Sequence, residues 1–115
     1  MKEIYFVHNT TIRYKTDHAN ELTADPENCG IKAFSTYDGA KKYLDMLVEA
    51  QKDIERAGFI GESEFGEKSK NNSLLFVPGW KMISDKILYG VRTRVEFMYE
   101  TAETYRFITS DTISE

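Results

Sequence analysis

The segment GESEFGEKS, residues 61–69, is one residue away from a phosphate-binding loop. The GxxxxGK[ST] pattern works because backbone amides surround the phosphates and the lysine directly after the last glycine reaches them. In this chain Glu67 occupies that place and would bring a negative charge to the phosphate, while Lys68 comes one position late. We therefore interpret the stretch from Gly61 to Ser69 as part of a surface loop, and we expect no nucleotide.

Two histidines and one cysteine are the other side chains whose types suit metal binding or nucleophilic catalysis. His8, His18, Cys29 and Asp25 match no zinc-ligand spacing, and neither histidine has a partner four residues away on a helix. No serine lies in a G-x-S-x-G elbow. We therefore assign no catalytic residue, no metal and no cofactor. A small enzyme with a site between sheet and helix, built from His8 or His18 and a carboxylate, stays open as an alternative.

Arginines alternate along one segment of the chain and indicate a charged sheet face. A solvated face is the simplest interpretation, but such a face can also bind a partner protein or single-stranded nucleic acid. The nucleic-acid alternative uses Arg92, Arg94 and Arg106. A lone tryptophan after a Pro-Gly turn and a phenylalanine among charges are further candidate anchors. The predicted partner-binding residues are Trp80, Arg92, Arg94, Glu96, Arg106 and Phe65.

Composition limits the classes of function. The 115 residues fit one domain, with 41% hydrophobic and 13% aromatic residues to build its core and a net charge of −4. Both signs of charge are interspersed, so no basic block exists that would bind duplex nucleic acid. One cysteine excludes an intrachain disulfide, and no signal peptide or long apolar run is visible. We expect a cytoplasmic protein that does not bind membranes.

The strongest helical pattern predicts one long helix over residues 37–57. Ser35 is the expected N-cap, with Asp38 three residues later. Gln51 interrupts the apolar stripe, and Gly58 is the expected C-terminal cap. The stripe consists of Ala40, Tyr43, Leu44, Leu47, Val48, Ile54 and Ala57.

Alternating and apolar segments predict the strands. Strands are expected at 3–8, 11–15, 31–35, 74–77, 80–84, 87–100 and 104–109. The first two form a hairpin or one bent strand, and loops are predicted over 16–30 and 61–73. Alternation over 87–100 indicates one buried side, and a turn at 101–103 leads to the last strand. Residues 110–115 are expected to form a frayed tail.

These elements predict an α+β fold with two layers, in which an antiparallel sheet of about four to six strands packs on the single helix. The stretch IKAFSTYDGAKKYLD resembles an element that recurs in short bacterial and phage proteins, but it identifies no family. The favoured hypothesis is a small non-catalytic protein-interaction module of bacterial or mobile-element origin, an inhibitor or an accessory protein. Its partner would be another protein or a second copy in a homodimer.

Overall fold

The computed structural model describes residues 2–54, 59–64, 86–96 and 98–114. The N-terminal segment, predicted as a hairpin or one bent strand, is a single strand, β1 (Lys2–Lys15), followed by β2 (His18–Leu22) and β3 (Glu27–Phe34). Helix α1 (Tyr37–Ile54) comes next, and the chain then forms β4 (Phe59–Glu64), β5 (Ile87–Glu96) and β6 (Glu100–Ile113). Within these ranges, no helix is both long enough and apolar enough to cross a membrane.

One antiparallel sheet contains all six strands of the described ranges. Its order is β2-β1-β6-β5-β4, and β3 pairs with the same edge of β1 that β2 uses further along. The two central strands, β1 and β6, pair along their whole length, from Lys2 opposite Ile113 to Lys15 opposite Glu100. With α1 packed on one face, the predicted α+β class is confirmed.

The long β1–β6 ladder explains why β1 is one strand. Asn9 and Thr10 resemble a turn, but both are paired with residues of β6 in the middle of the sheet. The turn signal is weak because it lacks the glycine that a two-residue hairpin prefers. Continuous pairing with β6 therefore decides the conformation of these residues.

The predicted loop over 16–30 is wrong, because it contains β2 and half of β3. β3 is an edge strand, and its residues from Glu27 to Ala33 are exposed. A strand that is exposed on both faces needs no apolar alternation, so its sequence reads as a loop. Gly30 has a φ of 115° at a shift in register, where it pairs with Asn9 while Asn28 pairs with Thr10.

Helix α1 begins at residue 37 as predicted, but its N-cap differs from the predicted one. The N-cap is Thr36 rather than Ser35, because the Thr36 hydroxyl accepts the backbone N–H of Gly39 at 3.0 Å. The apolar stripe packs as predicted on the sheet, with Ala40, Leu44 and Val48 buried. Their core partners are Val7, Val91 and Ile108. The predicted residues 55–57 and the cap at Gly58 lie outside the described ranges.

The C-terminal hairpin turns earlier than predicted. β5 ends at Glu96 and β6 begins at Glu100, so Met98 and Tyr99 lie in the connection between them, and the residues expected to turn, 101–103, belong to β6. The frayed tail is also wrong for 110–113, which pair with Lys2 to Tyr5. Likewise 61–64, predicted as loop, belong to β4. The strands predicted at 74–77 and 80–84, and the loop from 65 to 73, lie outside the described residues.

Both faces of the central strands are buried, which differs from the predicted one-sided sheet. Val7 and Ile108 face α1 in the core cluster. Neighbouring residues in each strand point to the opposite face. There Ile12, Tyr105 and Phe107 are as deeply buried as the core under the helix. We call this opposite side the second face of the sheet.

Candidate functional site

The structure separates the arginines that the sequence placed together. Val91 packs in the core under α1, so Arg92 and Arg94 point to the second face. Arg106 pairs with Val91, and its side chain therefore lies on the helix face. The expectation that Arg106 shares a face with Arg92 and Arg94 is wrong, because the β5–β6 register sets its side. Trp80 and Phe65 lie outside the described residues.

Arg94 binds a buried carboxylate that the sequence predicts to lie in a turn. Glu103 is fully buried on β6, and its Oε1 atom accepts a hydrogen bond from Arg94 Nε at 3.0 Å. The Tyr14 hydroxyl donates to the same oxygen at 2.6 Å, and the Tyr105 hydroxyl donates to Oε2. We call these four residues the Glu103 cluster. Alternation through β6 is the one sequence signal that could have placed Glu103 in a strand.

The Glu103 cluster is an electrostatically matched polar core. Burial works to lower the pKa of Arg94, but electrostatic interactions with Tyr14 and Glu103 outweigh it and raise that pKa. A buried carboxylate is tolerated when it is paired and hydrogen-bonded, as Glu103 is here. Because Arg94 is held by Glu103, its charge is partly neutralised, which weakens the case for a nucleic-acid surface on this face.

His8 lies on the second face, away from the cleft between sheet and helix. Its ring stacks on Phe107 with ring centres 4.6 Å apart, and its Nε2 atom shares a hydrogen bond of 2.8 Å with the Thr109 hydroxyl. Burial lowers the pKa of His8. A hydroxyl and an aromatic ring hold a neutral imidazole here, so this geometry does not provide the histidine–carboxylate pair of the enzyme alternative. Only the backbone of His18 is described.

The turn between β5 and β6 carries the most exposed large apolar side chains of the described chain. Met98 and Tyr99 are each 80% exposed, and we call this pair the hairpin tip. The backbone of Tyr99 is anchored, since its carbonyl accepts the Thr16 N–H at 3.2 Å. The Thr101 hydroxyl also donates to Thr16 Oγ1 at 3.3 Å. The tip is therefore apolar, exposed and fixed to the end of β1.

A concave region lies between α1 and the edge of the sheet where β1 pairs with β3. It is a pocket of about 110 Å³, whose walls include Asn9, Cys29 and Lys32. Arg106 is the neighbour of Asn9 across the β1–β6 ladder, and it donates a hydrogen bond to Gln51 of α1. Gln51 also accepts a hydrogen bond from Thr93 at 2.9 Å, which explains why a polar residue interrupts the apolar stripe of the helix.

In the part of the chain that the structure describes, no group of three or more His, Cys, Asp or Glu side chains is placed to hold a metal ion. Comparisons of the chain with protein-family models, with curated proteins and with solved structures find no match. Function therefore has to be argued from the geometry of this chain alone.

Proposed function

We propose that this protein is a non-catalytic interaction module, which binds a second copy of itself through the hairpin tip. The observation that carries the proposal is the 80% exposure of both Met98 and Tyr99 on an anchored turn. Tyrosine and methionine are enriched in protein–protein interfaces relative to the rest of the surface. An exposed pair at one projecting point is the type of anchor that inserts into a partner surface.

Anchoring of the tip favours binding because it lowers the entropy lost on association. Thr16 and Thr101 hold the turn through one backbone and one side-chain hydrogen bond. A contact surface that is ordered before binding loses less conformational freedom than a flexible one. The tip is thus better suited to recognition than a free loop with the same two side chains.

Charges beside the tip favour a second copy as the partner. Arg13 and Lys15 lie at the end of β1, and Glu96 and Glu100 flank the turn. In a two-fold interface the same patch occurs on both subunits, so it must be complementary to itself. A patch with an apolar centre and both signs of charge at its edge meets that condition.

Light scattering coupled to size exclusion, over a wide concentration range, tests the proposal. We expect the mass of two chains at high concentration and one chain after dilution. Combined Met98→Ser and Tyr99→Ser substitutions should leave a single chain at every concentration. The matched control combines Met46→Ser with Leu88→Ser, which removes two other exposed apolar side chains and should associate like the parent.

Two results would overturn the proposal. One is a single-chain mass for the parent protein at the highest concentration. The other is a tip variant that still associates as strongly as the parent.

A cytoplasmic location belongs to the same proposal, because Cys29, the one cysteine, has no cysteine partner in the chain and reducing compartments keep such thiols free.

A further inference from the structure

β3 is an edge strand whose outer side is open. It pairs with β1 on one side, and no strand of the described ranges pairs with it on the other. Its residues from Glu27 to Ala33 are exposed. At Gly30 this exposure is that of the backbone itself, because glycine has no side chain, and a Cβ atom added there would meet no atom within 4 Å. The outer edge of β3 is therefore accessible to a further strand.

The part of β3 from Gly30 to Phe34 has the regular geometry that strand pairing requires. Each of its residues is opposite one residue of β1, from Asn9 to Tyr5, without a shift in register. In an antiparallel pair, every second residue directs its N–H and C=O groups to the partner strand, and the residues between direct theirs outwards. Unpaired groups in such a row are a template for a strand from another molecule.

The pocket between α1 and the edge of the sheet where β1 pairs with β3, which we call the pocket at Asn9, lies beside this strand. Residues 29–32 of β3 line one side of it, and Tyr43 and Leu47 of α1 line another. Its volume of about 110 Å³ compares with about 30 Å³ for one water molecule in the liquid, so it has room for one small apolar side chain. A strand added to β3 would direct every second side chain to the helix face of the sheet, where the pocket lies.

Lys32 determines which charge the added strand should carry. Among the described residues that line the pocket, Lys32 is the one with a charge. Its Nζ atom lies 4.6 Å from the centre of the Tyr43 ring, and it forms no ion pair with a carboxylate of the described ranges. Full antiparallel pairing of residues 30–34 with a second copy would place the two Lys32 side chains directly opposite each other, which is unfavourable. The edge therefore favours an acidic strand over a copy of itself.

We propose that the outer edge of β3 binds an extended acidic segment of another protein as an additional strand. An apolar side chain of that segment enters the pocket at Asn9, and a carboxylate two residues away pairs with Lys32. Backbone hydrogen bonds to β3 provide affinity, whereas the pocket and Lys32 select the side chains. This surface is separate from the hairpin tip, so the inference does not depend on self-association.

A synthetic peptide tests the binding surface. The probe is a capped heptapeptide, Thr-Glu-Thr-Val-Thr-Glu-Thr, added to isotope-labelled protein and followed by NMR shifts of the backbone amides. Its valine can enter the pocket, and one of the two glutamates can reach Lys32 whichever way the peptide runs. We expect saturable shift changes concentrated on β3 and on the adjoining side of α1. Glycine in place of the valine should weaken binding several-fold, because the apolar contact in the pocket is lost.

Methylation of the peptide backbone tests strand addition itself. Only alternate amides of an added strand point to β3. One of two peptides methylated on alternate amide nitrogens should therefore lose binding, whereas the other, methylated on the remaining nitrogens, should still bind. The two peptides have the same side chains, so each is the control for the other. Equal affinities of the two would overturn strand addition.

Exchange of charges tests the role of Lys32. The peptide with lysines in place of both glutamates should bind the parent protein at least about threefold more weakly, which is the scale of an exposed ion pair. Lys32→Glu should reverse this preference. Lys42→Glu is the charge-matched control and should keep the preference of the parent, since Lys42 is an exposed lysine of α1 outside the pocket.

Three further outcomes would overturn the inference. One is the absence of shift changes on β3 with the acidic peptide at about 5 mM, where even a complex of millimolar affinity is mostly formed. Another is an unchanged preference for the acidic peptide in Lys32→Glu. The third is a change in the β3 shifts when the protein alone is concentrated, which would show that a second copy occupies the edge.

Discussion

Glu103 is a fully buried carboxylate that accepts hydrogen bonds from two tyrosine hydroxyls and one arginine. Its partners come from three strands: Arg94 and Tyr105 belong to the hairpin of β5 and β6, whereas Tyr14 comes from β1, which is distant in the chain. A cluster of this kind joins the central strands, because each partner would lose its acceptor if Glu103 were removed. Such residues determine register as well as stability when every polar atom is satisfied.

Glu103→Gln should destabilise the fold strongly. The amide group would place an NH₂ donor against a hydroxyl donor and would leave Arg94 with only its longer ion pair to Glu96 at 3.9 Å. Removal of one partner from a buried ion pair costs about 3 to 5 kcal/mol, and the partial exposure of Arg94 places the expected loss near the lower end, about 3 kcal/mol. Urea unfolding at neutral pH measures the difference.

Glu100→Gln is the matched control, on the same strand. Glu100 pairs with Arg13 at 3.4 Å, but both side chains are 36% exposed. Exposed pairs contribute about 0 to 1 kcal/mol, so this variant should remain close to the parent in stability. Equal losses for the two variants would contradict a special role of the Glu103 cluster.

His8 makes stability depend on pH. Its pKa is lowered in the folded protein by burial, whereas the unfolded chain has the ordinary value of 6.5. Below that pH the unfolded chain binds a proton that the folded chain excludes, so stability falls as pH decreases through 6.5 and below. Above pH 6.5 the imidazole is neutral in both the folded and the unfolded chain, so His8 does not lower the free energy of unfolding there.

His8→Phe tests this dependence, because phenylalanine can keep the stacking on Phe107 but cannot titrate. The variant should lose the hydrogen bond to Thr109 at every pH. Its free energy of unfolding should fall less than that of the parent between pH 7.5 and pH 5. Parallel pH profiles for the two proteins, measured by urea unfolding, would show that His8 does not carry the effect.

β6 is the element that joins the N-terminal and C-terminal parts of the chain. It pairs with β1 along its full length on one side and with β5 on the other. Ser110, Asp111, Thr112 and Ile113 extend the ladder with β1 beyond its contact with β5. Residues 110–113 therefore belong to the central pair of strands, although most of them are polar.

Removal of residues 110–115 should lower stability by about 1 to 3 kcal/mol, since several ladder hydrogen bonds of about 0.5 to 1.5 kcal/mol each are lost and partly replaced by water. Thermal and urea unfolding measure the loss. Removal of Ser114 and Glu115 alone is the control and should have no effect, because β6 ends at Ile113. A frayed tail would make the two truncations indistinguishable.

At the scale of the whole molecule, two surface features are far enough apart to be tested separately. The hairpin tip projects from one end of the sheet, and the pocket at Asn9 lies between α1 and the β3 edge.

The candidate sites were only partly predictable. Glu96, Arg92 and Arg94 were placed correctly on one face of a strand, because alternation with Val91 and Val95 assigns sides locally. The hairpin tip was missed, since residues 98 and 99 continue the apparent alternation. The strand predicted over 87–100 has fourteen residues, which is longer than most strands. That length indicates that a turn can lie within the segment.

The sequence by itself determined the α+β class, helix α1 and the buried stripe of that helix, because helical and strand periodicities are local properties of the chain. Only the tertiary structure decided that β1 is continuous, that Glu103 is buried and that Arg106 lies under the helix. These features depend on the register between β1, β5 and β6. Register is set by pairing between segments up to about a hundred residues apart, and a shift of one residue would move every side chain to the other face.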